Sequence, residues 1–182
     1  MTSSEASIPS DAVLAQLAGA ALSALAARHW RVALAESCTG GWIAKSLTDI
    51  AGSSLYFETG FVTYANGAKT ALLGEDAGLL EREGAVSRAT VLAMAAGTRQ
   101  RSGADLAVAV SGIAGPGGGS AAKPVGLVWF GWQSRDGVHE AAAEQFAGDR
   151  DAVRRQAVAS ALRRISAQAA ASGPGPNLGS SR

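Results

Sequence analysis

Ala35-Glu36-Ser37-Cys38-Thr39-Gly40-Gly41-Trp42 ends an apolar run, Val32-Ala33-Leu34-Ala35, in hydroxylated residues and a pair of glycines. A short apolar run bounded by turn residues reads as a buried strand, and Gly41 to Ile50 reads as the first turns of a helix. Ser37 then lies at a strand-to-helix turn. Such a turn holds a hydroxyl beside unpaired N–H groups at a helix N-terminus, where an oxyanion or a phosphate is stabilised. The plainer alternative is a helix cap made by Ser37 or Thr39.

Working outward, the chain has a loose start to about Ser10. Asp11 then caps a helix whose apolar positions Val13, Leu14, Leu17, Leu22 and Leu25 recur at helical spacing to about His29. Tyr56 to Tyr64 is rich in aromatic and β-branched residues, which predicts a strand delivering Tyr64 to its end. Ala65 to Leu73 reads as a short helix, Gly74 to Gly84 as a loop with a helical turn, and Val86 to Arg101 as a helix capped by Ser87. A buried strand, Leu106 to Val110, leads into a glycine-rich loop from Ser111 to Ser120. Val125 to Trp132 and Val138 to Phe146 read as an antiparallel hairpin turning at Arg135-Asp136-Gly137, followed by a helix from about Asp149 to Ala170.

Helices alternating with strands, plus the late hairpin, predict a single α/β domain over residues 11–170, with a mixed sheet in a three-layer α/β/α arrangement. Residues 1–10 and the Gly-, Pro- and Ser-rich tail 171–182 are expected to be disordered. Ligands of such sheets bind at the C-terminal ends of strands, where Ser37, Tyr64 and Ser111 all fall.

Composition narrows the function classes. Among 182 residues, 47% are hydrophobic, enough for one domain with a proper core, and 16 basic against 15 acidic residues leave a net charge of +1. That balance gives no overall field to recruit nucleic acid or an anionic membrane. The lone Cys38 excludes an intramolecular disulfide and a cysteine-cluster zinc site and fits a reducing cytoplasm. His29 and His139 are isolated, so a histidine metal centre or a Ser-His-Asp triad lacks material. The N-terminus carries neither a basic region nor a leading apolar one, and neither a signal peptide nor a membrane span is expected. The many alanines and glycines are read as carrying no functional information.

Two further segments carry chemistry. Thr63-Tyr64-Ala65-Asn66-Gly67-Ala68-Lys69-Thr70 brings a tyrosine, an asparagine and a lysine together within about a turn and a half. A lysine serves as general base only when neutral, which needs burial or a nearby cation; the alternative is a solvated lysine beside a buried tyrosine. Ser111-Gly112-Ile113-Ala114-Gly115-Pro116-Gly117-Gly118-Gly119 matches neither a Walker loop nor the Rossmann spacing. Its glycines would let backbone N–H groups approach an anion, or would simply make a flexible connection.

Together with Lys123-Pro124-Val125-Gly126-Leu127-Val128 and Gly148-Asp149-Arg150-Asp151-Ala152-Val153-Arg154, these segments resemble, in order and from about Ala12 to Ala170, the C-terminal domain of the competence/damage-inducible protein CinA. Stand-alone members of that family are nicotinamide-nucleotide amidohydrolases. The resemblance implies hydrolysis of the carboxamide of nicotinamide mononucleotide to nicotinate mononucleotide and ammonia, a salvage step for pyridine nucleotides. It places the family's serine, tyrosine and lysine on Ser37, Tyr64 and Lys69. Larger relatives carry a preceding molybdopterin-binding-like domain with ADP-ribose pyrophosphatase activity; no match to that domain is expected in these 182 residues, so that activity is not carried over.

The implied mechanism is nucleophilic acyl transfer, with the Ser37 proton passing to Lys69 directly or through the Tyr64 hydroxyl, and N–H groups of Thr39 to Gly41 holding the oxyanion. No metal or cofactor is called for. The expected substrate-binding residues are Thr39, Gly40, Gly41, Asn66, Ser111, Gly112, Gly115, Gly117, Gly118 and Arg150, with Arg150 either a phosphate ligand or a surface residue at a helix start. Glu36 orients Lys69 or caps backbone donors, and Cys38 is an alternative nucleophile or a buried, inert thiol. The expected partner is a small-molecule nucleotide, with no nucleic acid or membrane, and the expected state is a homo-oligomer. A non-catalytic nucleotide-binding or interaction module is the competing function. A metal-dependent phosphohydrolase is disfavoured, because Asp49, Glu58, Glu75, Asp76 and Asp105 form no spaced cluster.

Overall fold

The computed structural model describes residues 8–74 and 76–171. In chain order the elements are α1 (Asp11–Arg28), β1 (Val32–Glu36), α2 (Trp42–Thr48), β2 (Phe57–Val62), α3 (Asn66–Leu73), α4 (Ala77–Glu83), α5 (Arg88–Ser102), β3 (Leu106–Gly112), β4 (Leu127–Ser134), β5 (His139–Gln145) and α6 (Arg150–Ala171). The strands form one mixed sheet in the order β2-β1-β3-β4-β5. β1 pairs in parallel with β2 and β3, whereas β4 runs antiparallel to both β3 and β5. The α/β class and the terminal hairpin expected from the sequence are therefore present.

Helices α1, α2 and α6 cover one face, with α1 lying on α6, while α5 crosses the other face and carries α3 and α4. Alternation along the strands sorts the two faces by size. Val32 and Leu34 of β1, Leu106, Val108 and Val110 of β3, and Val128, Phe130 and Trp132 of β4 join Leu14, Leu22, Leu25, Leu162 and Ile165 in the main core. The face toward α5 is built from small residues, Ala35 and Ala109, packed with Met94, Ala95 and Leu73. A Cβ on Gly131 would stand 2.3 Å from the Val91 carbonyl oxygen of α5, so the helix backbone rides directly on the sheet. Part of the alanine and glycine content, which composition alone left without meaning, thus sets the spacing of this layer.

Several boundaries differ from the sequence reading. The N-cap of α1 is Ser10, whose Oγ accepts from the Val13 N–H at 3.3 Å; Asp11 is the first helical residue and pairs with Arg155. Pro9 is buried, so residues 8–10 belong to the packed domain rather than to a disordered start. Expectations for residues 1–7 and 172–182 fall outside the described residues. The loop expected from Gly74 to Gly84 contains a full helix, α4, capped by Asp76 and anchored by the buried Leu80. β3 runs two residues further than expected, because Ser111 and Gly112 still pair with Trp129 and Val128, and β4 begins at Leu127 rather than Val125. Among the described residues, no helix is long and apolar enough to cross a membrane.

Candidate active site

The C-terminal ends of the parallel strands β1, β2 and β3 lie at one edge of the sheet, and the chemistry-bearing residues follow them directly. The Ser37 N–H donates to the Val110 carbonyl of β3 at 3.0 Å, which fixes the serine at the strand end. The chain then reverses through Gly40 and Gly41, both with left-handed backbone (φ 63° and 92°), a conformation that glycine adopts without a Cβ penalty. Gly40 N–H donates to the Ser37 carbonyl at 3.1 Å and closes the turn.

Glu36, 1% exposed, fills the inside of this turn. Its Oε2 accepts from the Gly41 and Ile43 N–H groups at 3.0 and 3.1 Å, and its Oε1 accepts from Ala44 at 2.8 Å. The open donors at the start of α2 are therefore satisfied by Glu36. Of the roles open to Glu36 in the sequence, capping is the one seen. Neither Ser37 nor Thr39 caps the helix, which leaves the Ser37 hydroxyl available for other work.

Lys69 supplies the partner. It lies on α3, is fully buried, and places Nζ 3.2 Å from Ser37 Oγ, 2.8 Å from the Thr63 carbonyl and 3.4 Å from the Tyr64 carbonyl. The solvated-lysine reading is thus excluded by its burial. Lys69 contacts the Tyr64 backbone, whereas the Tyr64 hydroxyl accepts from Arg150 Nη2 at 2.8 Å and the tyrosine is 59% exposed. Arg150, the first residue of α6, also donates from Nη1 to the Gly115 carbonyl at 2.8 Å, so both bonds of its guanidinium go to neutral groups.

These groups surround a cavity of about 210 Å³ lined by Ser37, Cys38, Tyr64, Lys69, Ala85, Val86, Ser111, Gly112, Ala114 and Arg150. Ser111 Oγ donates to the Ala85 carbonyl at 2.7 Å and ties the wall together. Gly112 serves packing: a Cβ there would stand 2.6 Å from a Val128 methyl. Cys38 is 7% exposed, and burial pushes its thiol up to about 12, so it stays protonated and inert as a nucleophile at neutral pH.

Other expected ligands are not brought to the cavity. Thr39 is wholly buried, and its Oγ1 has no hydrogen-bond partner among the described residues. Asn66 is exposed at the start of α3, and Gly117 and Gly118 are exposed beyond the cavity wall. Gly115 is tied to the site through its carbonyl, which accepts from Arg150. Gly40 and Gly41 spend their N–H groups on Ser37 and Glu36, so neither is free to hold an oxyanion. Among the described residues, no group of His, Cys, Asp and Glu is placed to hold a metal ion.

The sequence reading missed Arg154, which donates from Nε to the Cys38 carbonyl at 3.2 Å and from Nη2 to the Thr39 carbonyl at 2.9 Å. The available signal was its place four residues after Arg150, on the same helix face.

With this geometry in hand, comparison with known proteins is direct. The family model described as the CinA C-terminal domain matches residues 14–169. The chain belongs to the CinA C-terminal domain family. It is 53% identical over 155 residues to the protein named nicotinamide-nucleotide amidohydrolase PncC of Escherichia coli strain K12, covering 85% of this chain and 94% of that one. A PncC of the same name from Enterobacter agglomerans is 59% identical over 139 residues, 76% of this chain and 85% of that one. Among solved structures, the competence/damage inducible protein CihA from Agrobacterium tumefaciens superposes with a TM-score of 0.82 at 45% identity, covering 88% of this chain and 96% of that one.

Proposed function

We infer that this CinA-family chain is a nicotinamide-nucleotide amidohydrolase, converting nicotinamide mononucleotide and water to nicotinate mononucleotide and ammonia, with Ser37 as nucleophile and Lys69 as its base. The observation that carries the mechanism is the 3.2 Å contact between Lys69 Nζ and Ser37 Oγ, made by a fully buried lysine at the wall of the cavity. Burial penalises the charged form of an amine. Nζ donates to the Thr63 and Tyr64 carbonyls, and a neutral amine keeps one lone pair with which to take the serine proton. The names of the PncC relatives support the substrate class.

In the reaction, Ser37 Oγ attacks the carboxamide carbon while its proton moves to Lys69 Nζ. The resulting ammonium returns that proton to the departing nitrogen, ammonia leaves, and a nicotinoyl ester remains on Ser37. Water then attacks the ester as Lys69 takes one of its protons, Lys69 returns that proton to the leaving Ser37 Oγ, and the acid product departs, losing its remaining proton to solvent as the carboxylate. The direct distance makes a Tyr64 relay unnecessary. The oxyanion donor in this reading is the N–H of Cys38, the residue after the nucleophile; among the described residues no backbone carbonyl accepts from it, its own thiol sulfur, a weak acceptor, is its partner, and Cys38 lines the cavity.

The cavity is smaller than the about 300–1,000 Å³ of a drug-sized ligand site, so the pyridine ring enters while the ribose phosphate stays at the mouth. There Arg150, with no charge neutralised by its two neutral partners, meets the 5′-phosphate. The test is ammonia release from nicotinamide mononucleotide, nicotinamide riboside, free nicotinamide and the dinucleotide in parallel, for wild type and Ser37→Ala. The mononucleotide should be the preferred substrate, and Ser37→Ala should bind it without turnover. Binding without ammonia release by wild type would make the chain a nucleotide-binding module instead.

A further inference from the structure

We propose that Arg154 is a positioning residue for this amide hydrolysis, clamping the turn that carries Ser37 through the carbonyls of Cys38 and Thr39. The inference rests on the serine acyl-transfer reading above, and it starts from how that turn is held. On its sheet side the turn is tied by the Ser37 N–H to Val110, and inside by the bonds to Glu36. Within it, the Gly40 N–H donates to the Ser37 carbonyl and the Trp42 N–H to the Thr39 carbonyl at 3.3 Å, but none of these bonds reaches the Cys38 carbonyl. Arg154 does, with two bonds of 3.2 and 2.9 Å from one planar guanidinium to successive carbonyls.

The clamp acts from behind. Arg154 is not among the residues lining the Ser37 cavity; it lines a separate cleft on the far side of Gly40 and Gly41, together with Trp42 and Lys45. Its guanidinium carbon lies 5.1 Å from the centre of the Trp42 ring, which holds the fork in place. The buried stripe of α6, Val153, Ala157, Val158, Ala161 and Leu162, fixes the helix against the core and so fixes where Arg154 projects. One helix start thus serves two sides of the nucleophile turn: Arg150 reaches the cavity mouth, and Arg154, one turn later, grips the backbone behind the serine.

A glycine pair with left-handed backbone is the most deformable stretch of the site, and the clamped carbonyls immediately precede it. If the clamp is lost, the Cys38 carbonyl loses its partner and the Thr39 carbonyl keeps only the Trp42 N–H at 3.3 Å, so the peptide groups after Ser37 are held less firmly, and Ser37 Oγ and the Cys38 N–H leave their shared geometry around the reacting carbon. A misplacement of about 1 Å costs about 100-fold in rate. Substrate binding should survive, because Arg154 does not line the cavity and reaches it only through the Cys38 carbonyl.

The experiment compares wild type with Arg154→Ala, Arg154→Lys and, as a contrast, Arg150→Met. Arg154→Ala should lower kcat for nicotinamide mononucleotide by about 10- to 100-fold with KM changed by less than about threefold. Free guanidinium at millimolar concentration should restore part of the loss. Arg154→Lys should remain impaired, since one ammonium cannot reproduce the planar fork. Arg150→Met should instead raise KM. Labelling of Ser37 by a fluorophosphonate reports on the same turn without the natural substrate, and Arg154→Ala should slow it by a similar factor in protein shown folded by its melting curve.

If wild type is labelled but releases no ammonia from the mononucleotide, the substrate reading fails while the labelling rates still decide the role of Arg154. A lowered Tm with unchanged kcat and labelling rate would reduce Arg154 to a structural residue and overturn the proposal. So would a raised KM with unchanged kcat, or failure of the probe to label Ser37 in wild type.

Discussion

Replacing Glu36 by glutamine tests how the nucleophile turn is built. The Glu36 carboxylate accepts three backbone N–H groups, those of Gly41, Ile43 and Ala44, in a site only 1% exposed. Glutamine keeps the shape but offers one acceptor oxygen, and its NH₂ group must face a backbone N–H, donor against donor. A hydrogen bond to a charged group contributes about 1.5–3 kcal/mol net and a neutral one about 0.5–1.5 kcal/mol. With the amide oxygen left on Gly41 and Ile43, two bonds weaken by about 1 kcal/mol each and the Ala44 bond is lost, giving a destabilisation of about 3–5 kcal/mol. That is a large share of the about 5–15 kcal/mol that holds a typical domain folded. For a chain of this length each kcal/mol moves Tm by about 2–4 °C, so thermal unfolding followed by circular dichroism should show Tm lower by about 6–20 °C. A Tm within about 2 °C of wild type would refute the capping account. A changed pH profile for ammonia release at unchanged Tm would point to Glu36 acting through Lys69.

Two further outcomes follow from the site. Lys69→Arg should keep less than about 1% of wild-type kcat, because guanidinium stays protonated and general-base catalysis contributes about 10²–10⁴-fold. In wild type, kcat/KM should rise with pH, since the base works only when deprotonated. An active Lys69→Arg with the wild-type pH profile would assign Lys69 to structure. Cys38→Ala should keep most activity, and iodoacetamide should modify Cys38 slowly in the native protein and quickly in urea, because burial holds the thiol up at about 12. An inactive Cys38→Ala beside an active Ser37→Ala would reverse the assignment of nucleophile.

The sequence by itself determined what depends on neighbours along the chain. Apolar runs, residue types, caps and turns marked every strand and all helices but α4, which read as a loop with a single helical turn because the burial of its anchor, Leu80, is a tertiary property. The Ser87 cap and the β4–β5 hairpin were legible because caps and tight turns are decided within a few residues. At the start of α1 the sequence reading pointed to Asp11 as the cap; in the structure Asp11 pairs with Arg155 and Ser10 is the cap. Ser37, Tyr64 and Lys69 stood out because their residue types are chemically distinctive.

The tertiary structure decided what those residues touch. Ser37 and Lys69 are 32 positions apart, and only the parallel pairing of β1 with β2, which delivers α3 to the strand ends, brings Oγ and Nζ to 3.2 Å. The same geometry turned the Tyr64 hydroxyl toward Arg150 and used the Gly115 carbonyl to hold that arginine. It left Asn66, Gly117 and Gly118 outside the cavity. Glu36 and Arg154 both fall inside motifs legible in the chain, but what each of them binds is not. Each acts on the backbone of a turn whose open donors and carbonyls exist as targets only once strand, glycine pair and α6 are assembled in space.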